Sequence, residues 1–306
     1  MYKVGFLYDG IFLEHRNPAG HPECSERLVH ILRRLRGSPV WEHLLQIKPR
    51  EATIDEITLV HRRDYFDLIA NHLPGYLDGD TFLSEVSFSA ARLAVGAVLT
   101  AIEACREGRI ERAFCAVRPP GHHAEAGEAM GFCIFNNVAV GARFAQKSGY
   151  KKIFIVDFDV HHGNGTQHFF EKDETVFYFS THQFPYFPGT GAAGEIGYGR
   201  GTGFTRNMPL PRGANDSDFR RIYQEVLPTL VKKFGPDMIL VSAGYDLRSD
   251  DPLADLKVTG IGIKEIVSGI LSVGKIPMVF SLEGGYNLDE LAESVEITLQ
   301  ELLTGK

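Results

Sequence analysis

The sequence predicts an α/β fold, a single domain over residues 1–306 with a largely parallel sheet flanked by helices. Two observations predict it. Short runs rich in Ile, Val and Phe alternate with helical segments along the whole chain. Most of those runs also empty into a loop carrying ionisable or glycine-rich groups, the arrangement of ligand sites at the carboxyl ends of parallel strands.

In chain order, Lys3 to Tyr8 reads as the first strand and Asp9 to Pro22 as a polar loop. Glu23 to Arg36 carries Leu28, Ile31, Leu32 and Leu35 at helical spacing and is stopped by Gly37 and Pro39. Thr53 with Glu56 forms a capping box that opens a helix including Ile57 and Val60. After an irregular loop from Pro74 to Ser84, an Ala-rich helix runs from about Phe88 to Arg106 and ends at Gly108. Arg112 to Val117 is a buried strand delivering a stiff turn at Pro119-Pro120, and Asn136 to Lys147 is the next helix.

The stretch from Ile153 to Gly165 begins as a strand covered on both faces and ends among ligand-type side chains. Thr175 to Ser180 is a further strand, followed by a long aromatic-rich loop from Thr181 to Gly203. Asp216 to Lys233 is an amphipathic helix kinked at Pro228. Met238 to Ser242 and Met278 to Leu282 are strands separated by a helix from Ile263 to Val273, and a final helix closes the chain.

At 306 residues, 44% apolar and 23% charged, the chain has ample material for a core. Its net charge of −7 gives no general attraction for nucleic acid or an anionic membrane. The N-terminus turns polar too quickly for a signal peptide, and no apolar run approaches the ~20 residues that span a bilayer. Cys24, Cys105, Cys115 and Cys133 form no CxxC pair and read as reduced thiols, which points to a cytoplasmic protein.

Alternation along a strand sends Asp157, Asp159 and His161 to one side and Phe158 and Val160 to the other. Capping explains one such residue, as Asn164 ahead of Thr166 to Phe170 could, but not two acids and two imidazoles within six positions. Several charges beside a core strand are costly unless they pair or hold a cation, and the spacing suits a divalent metal. Four loops that each follow a strand could share one pocket: His122-His123, Asp157 to His162, Asp246, and Gly284-Gly285-Tyr286.

Six segments carry a family resemblance: Arg118 to Ala124 (RPPGHHA), Gly131 to Asn137 (GFCIFNN), Asp157 to Gln167 (DFDVHHGNGTQ), Phe187 to Gly191 (FPGTG), Ser242 to Asp246 (SAGYD) and Glu283 to Asn287 (EGGYN). In this order they resemble the zinc-dependent histone deacetylase superfamily, in its bacterial class II-like and acetylpolyamine amidohydrolase group. The resemblance implies the arginase–deacetylase fold and one zinc held by Asp159, His161 and Asp246. Two carboxylates and a neutral imidazole cancel the metal's charge, so a separate general base is needed.

The resemblance assigns that base to His123, with His122 beside it. It pairs His122 with Asp157 and His123 with Asn164, and makes the Tyr286 hydroxyl the oxyanion donor. It further implies a substrate tunnel of Gly131, Phe132, Phe187, Leu253 and Gly285, with Asp80 at the rim. A structural potassium ion would sit at Asp157, Asp159, His161, Ser180 and Thr181, largely through backbone oxygens.

The implied activity is hydrolysis of acetyl or longer acyl groups from lysine side chains of proteins or peptides. Acetylated polyamines are the alternative substrates; Leu253, where polyamine-selective relatives can carry Glu, tilts towards acyl-lysine. Two rivals stand beside this reading. An arginase-like two-metal hydrolase would need a second acid where Gly163 stands. A non-catalytic acyl-lysine-binding protein would have no use for the intact set of His123, Asp159, His161, Asp246 and Tyr286. Oligomeric state is left open.

Overall fold

The computed structural model describes residues 2–305. Ten strands occur in chain order: β1 (Val4–Leu7), β2 (Leu44–Ile47), β3 (Gly75–Tyr76), β4 (Phe82–Leu83), β5 (Arg112–Cys115), β6 (Ile153–Asp157), β7 (Val176–Gln183), β8 (Thr205–Leu210), β9 (Met238–Ala243) and β10 (Met278–Leu282). β3 and β4 make a small antiparallel pair. The other eight form one sheet in the order β2-β1-β5-β10-β9-β6-β7-β8, every neighbouring pair parallel. This is the arginase–deacetylase fold that the motifs imply.

The strand order locates the site. The chain leaves β6 for its neighbour β7 on one side and leaves β9 for its neighbour β10 on the other. Right-handed crossovers in opposite directions open a crevice between β6 and β9 at their carboxyl ends. The loops after these strands carry Asp159 and His161, and Asp246.

β5, β6, β9 and β10 are buried at every position, as strands covered by helices on both faces must be. Two strands of this sheet that the sequence does not announce, β2 and β8, are its edges, and the short pair β3 and β4 lies in the stretch expected to be an irregular loop. β2 exposes Leu45 and Gln46, and β8 contains Pro209, so neither presents the continuous apolar run of the interior strands.

The helices differ from expectation at identifiable points. The helix expected from Glu23 starts at Glu26, because the buried Glu23 carboxylate takes Arg118 and Arg27 instead. The Thr53–Glu56 capping box forms, but its helix ends at Ile57 and excludes Val60. A helix over Arg63–Asn71, with no side-chain cap to announce it, seats Tyr65, Phe66 and Ile69. The Pro228 kink takes the form of a π-turn over Ile222–Val226, since proline offers no N–H to the preceding turn. The Ala-rich helix Ser87–Arg106 does reach the length and apolarity of a membrane span, contrary to the sequence reading, yet 78% of its most apolar window is buried in the core.

Candidate active site

β6 stops at Asp157, which corrects the alternation argument. The Asp157 carboxylate accepts the Asp159 N–H (3.2 Å) and the Asp159 carboxylate accepts the His161 N–H (2.9 Å). Side chains thereby capture backbone donors that a longer strand would pair, and the chain curls instead of extending. Asp157 and Asp159 consequently face different partners.

Asp159 Oδ1 lies 3.1 Å from His161 Nδ1, and Asp246 Oδ2 lies 3.2 Å from the same nitrogen. The other carboxylate oxygens are already used: Asp159 Oδ2 accepts the Gly284 N–H (2.8 Å) and Asp246 Oδ1 the Val160 N–H (2.9 Å). A β-carbon on Gly244 would stand 2.0 Å from Asp159 Oδ2, and one on Gly284 would stand 2.1 Å from Asp246 Oδ2. Only glycine lets these two loops close on the carboxylates.

Asp246 Oδ2 is buried with no hydrogen-bond partner among the described residues. Such an orphan beside a second carboxylate is unfavourable unless a cation sits between them. Ligand atoms of a tetrahedral zinc, each about 2.0–2.2 Å from the metal, stand about 3.3 Å apart. The observed spacings and the donor set fit a divalent metal of this kind. A second cluster, His122, Cys133 and Glu283, also comes together. There, however, Glu283 is occupied by the N–H groups of Gly121 (2.6 Å) and His122 (3.2 Å) and by the Ser242 hydroxyl (3.1 Å). It braces the His122 turn against β9.

The two histidines of that turn lie with ring centroids 4.0 Å apart. His122 Nδ1 meets Asp157 Oδ2 at 3.1 Å, and the Tyr178 hydroxyl donates to the same oxygen (3.1 Å). Burial opposes charge on His122, but Asp159 and Asp157 outweigh it and raise its pKa to about 10. His123 Nδ1 meets Asn164 Oδ1 at 2.7 Å. Burial, reinforced by the neighbouring rings of His122 and His161, pushes His123 well below the usual range. The neighbouring carboxylates thus favour the charged form of His122, and burial favours the neutral form of His123. Asn164 does not cap its helix, whose N-cap is Gly163; its side chain is spent on His123.

A cavity of about 210 Å³ leads to these groups. Its buried end holds His122, His123 and His161, with Tyr286 alongside. Gly131, Phe132, Tyr186 and Phe187 line it, and Asp80 and Leu253 also border it. Phe187 is 41% exposed, which marks the outer end. Phe132 holds a left-handed φ of 69°, a strained conformation for a phenylalanine, and its N–H donates to Thr81 Oγ1 (3.1 Å). Gly285, expected in the wall, is outside the cavity, and Gly284 lines it instead. The Gly285 carbonyl is turned to the buried Arg27 guanidinium (2.7 Å).

Tyr286 packs against Phe132 and lies under Arg27. Burial raises its pKa well above the usual range, with Asp246 and Asp159 adding to that and Arg27 opposing, so the hydroxyl stays a donor. Ser180 and Thr181 sit on β7, with Ser180 in register with Asp157. Their hydroxyls are engaged with His182 (2.8 Å) and Tyr223 (2.9 Å). Tyr178, Tyr186, Asp251 and Glu283 also serve the site, though no local sequence pattern gives them a role. Only Glu283, inside a recognised motif, left a trace in the sequence; the others are joined to the site by tertiary contacts.

The family model described as Histone deacetylase domain matches residues 21–302. Histone deacetylase 5 of Arabidopsis thaliana is 39% identical over 99% of this chain and 49% of its own length. Polyamine deacetylase HDAC10 of Homo sapiens is 38% identical over 92% of this chain and 45% of its own length. The chain therefore spans about half the length of these relatives. A crystal structure titled HDA15 HD domain superposes with a TM-score of 0.94 at 37% identity, covering 99% of this chain and 88% of that one. With a family match across nearly its whole length, laid over this fold, the chain belongs to the histone deacetylase superfamily.

Proposed function

We propose that the chain is a zinc-dependent amidohydrolase that removes acetyl or related acyl groups from lysine side chains of proteins or peptides. The observation that carries this reading is the unpartnered Asp246 oxygen, grouped with Asp159 and His161 at the buried end of an aromatic-walled cavity. Asp159, His161 and Asp246 would hold the metal. When bound, it would polarise the acyl carbonyl and acidify a water.

The remaining work falls to the chain's own groups. His123, neutral and held by Asn164, takes the proton of the attacking water at Nε2. The Tyr286 hydroxyl donates to the oxygen that becomes negative as the carbonyl carbon turns tetrahedral. His122, kept cationic by Asp157, balances the negative charge and favours return of a proton to the departing amine. Phe132 and Phe187 exclude water along the aliphatic chain.

Apolar Leu253 on the cavity favours acyl-lysine, since it offers no carboxylate to a second cationic amine. The polyamine reading draws on a relative with that activity in its name. A structural potassium ion among the backbone oxygens around Asp157, Asp159, His161, Ser180 and Thr181 belongs to the same proposal.

The test is metal analysis of the purified protein with kcat/KM for an acetyl-lysine peptide, N-acetylputrescine and N-acetylspermidine on one preparation. We expect about one divalent ion per chain and highest kcat/KM on the peptide. Absence of both metal uptake and turnover after reconstitution would overturn the reading.

A further inference from the structure

A second cavity, of about 530 Å³, shares no residue with the substrate cavity and is lined in part by Glu125, Asn164, His168 and Met130. Asn164 thus stands between His123 and an outer group of side chains. Its amino nitrogen donates to Glu125 Oε1 at 2.6 Å. The same nitrogen also faces the His123 carbonyl oxygen (3.3 Å) and the Met130 sulfur (3.5 Å). All three partners are acceptors only. His168, which is 41% exposed, binds the same Glu125 oxygen at 2.8 Å. The Glu125 backbone is fixed as well, its carbonyl accepting from His61 Nδ1 (2.9 Å).

This arrangement decides which way round the Asn164 amide lies. Flipped, its carbonyl oxygen would stand against the Glu125 carboxylate, acceptor to acceptor, and its amino group would face His123 Nδ1. That nitrogen would then have to accept, placing the ring proton on Nε2, where no base could act. In the observed orientation Nδ1–H donates to Asn164 Oδ1 and Nε2 keeps its lone pair.

We propose that Glu125, anchored by His168, is a positioning residue that fixes the Asn164 amide and through it the base-competent tautomer of His123. The kinetic consequence rests on the deacylase reading; the tautomer does not. The His123 carbonyl, at 3.3 Å, favours this orientation only weakly, and the outer carboxylate, at 2.6 Å, fixes it.

The test compares wild type, Glu125→Ala and Glu125→Gln by steady-state kinetics on an acetyl-lysine peptide, by bound-metal analysis, and by ring-nitrogen NMR of ¹⁵N-histidine-labelled protein. We expect kcat to fall roughly tenfold in Glu125→Ala, with KM and metal content unchanged. A second population of His123 protonated at Nε2 should accompany the fall. Glu125→Gln should recover most of the rate, because its carbonyl oxygen can face the Asn164 amino group. An unchanged His123 tautomer in Glu125→Ala overturns the proposal whatever the rates do. So does an unchanged kcat, or a loss of metal shared equally by both variants. If wild type hydrolyses none of the acyl amines, the functional reading fails and the NMR comparison alone decides this one.

Discussion

Asp251 Oδ2 accepts the backbone N–H of Tyr286 at 2.7 Å and that of Asn287 at 3.2 Å, while its other oxygen accepts from Leu253 (2.9 Å). One carboxylate therefore ties the loop carrying Leu253 to the loop presenting the tyrosine. Burial, then the charge of Asp246, raises its pKa to about 7, against the pull of these N–H groups. Replacing Asp251 by Ala frees the Tyr286 backbone and should lower kcat roughly tenfold, the worth of about one such hydrogen bond. Turnover of an acetyl-lysine peptide with metal content measured in parallel checks this; a normal kcat would separate the two loops.

Tyr286→Phe should remove one donor to the developing oxyanion and leave the cavity shape intact. The expected fall in kcat is roughly 10²–10³, with the metal retained. Full activity in the variant would remove the hydroxyl from the reaction.

Metal removal should weaken the fold as well as stop turnover. Asp159 and Asp246 are both buried, and without a cation burial and the charge of Asp159 oppose ionisation of Asp246. A chelator is expected to lower Tm of wild type clearly, and that shift should vanish in Asp246→Asn, which neither binds metal nor needs neutralising. Scanning calorimetry with and without chelator distinguishes this from a site with no part in stability.

Acid should act through His61. Its Nδ1–H donates to the Glu125 carbonyl and its Nε2 accepts the Asn136 N–H (2.8 Å), so no acceptor is left for a second proton. Burial lowers its pKa to about 4 from 6.5, despite the opposing hydrogen bond to Glu125. The unfolded chain therefore binds the proton first. His61's contribution is complete above about pH 6.5 and declines as the pH falls towards 4, by about 3 kcal/mol at most. Urea midpoints for wild type and His61→Gln should converge over that interval; a gap independent of pH would contradict this.

Leu253→Glu adds a carboxylate to the cavity wall. It should raise kcat/KM for N-acetylspermidine relative to the acetyl-lysine peptide by roughly two- to fivefold, the range expected of a partly exposed charge pair. Competition between the two substrates on wild type and variant measures it directly.

The sequence by itself determined the parallel α/β architecture, its six interior and near-interior strands and the identity of the polar residues at their ends. Those features depend on local pattern: strands buried on both faces are continuously apolar, and the ligand-type residues cluster within a few positions of them. Edge strands β2 and β8, half exposed and in one case interrupted by Pro209, carry no such pattern and required their partners to be seen.

What only the tertiary structure decided was how the clusters divide their work. Asp157 and Asp159 look equivalent along the chain, yet one meets Tyr178 and His122 and the other His161 and Gly284. Gly284 rather than Gly285 faces the cavity, Asn164 supports a histidine instead of capping a helix, and Glu125 and Asp251 brace groups distant in sequence. The reason is physical: which hydrogen bond a buried polar group makes depends on groups brought beside it by other strands, and no local spacing encodes that choice.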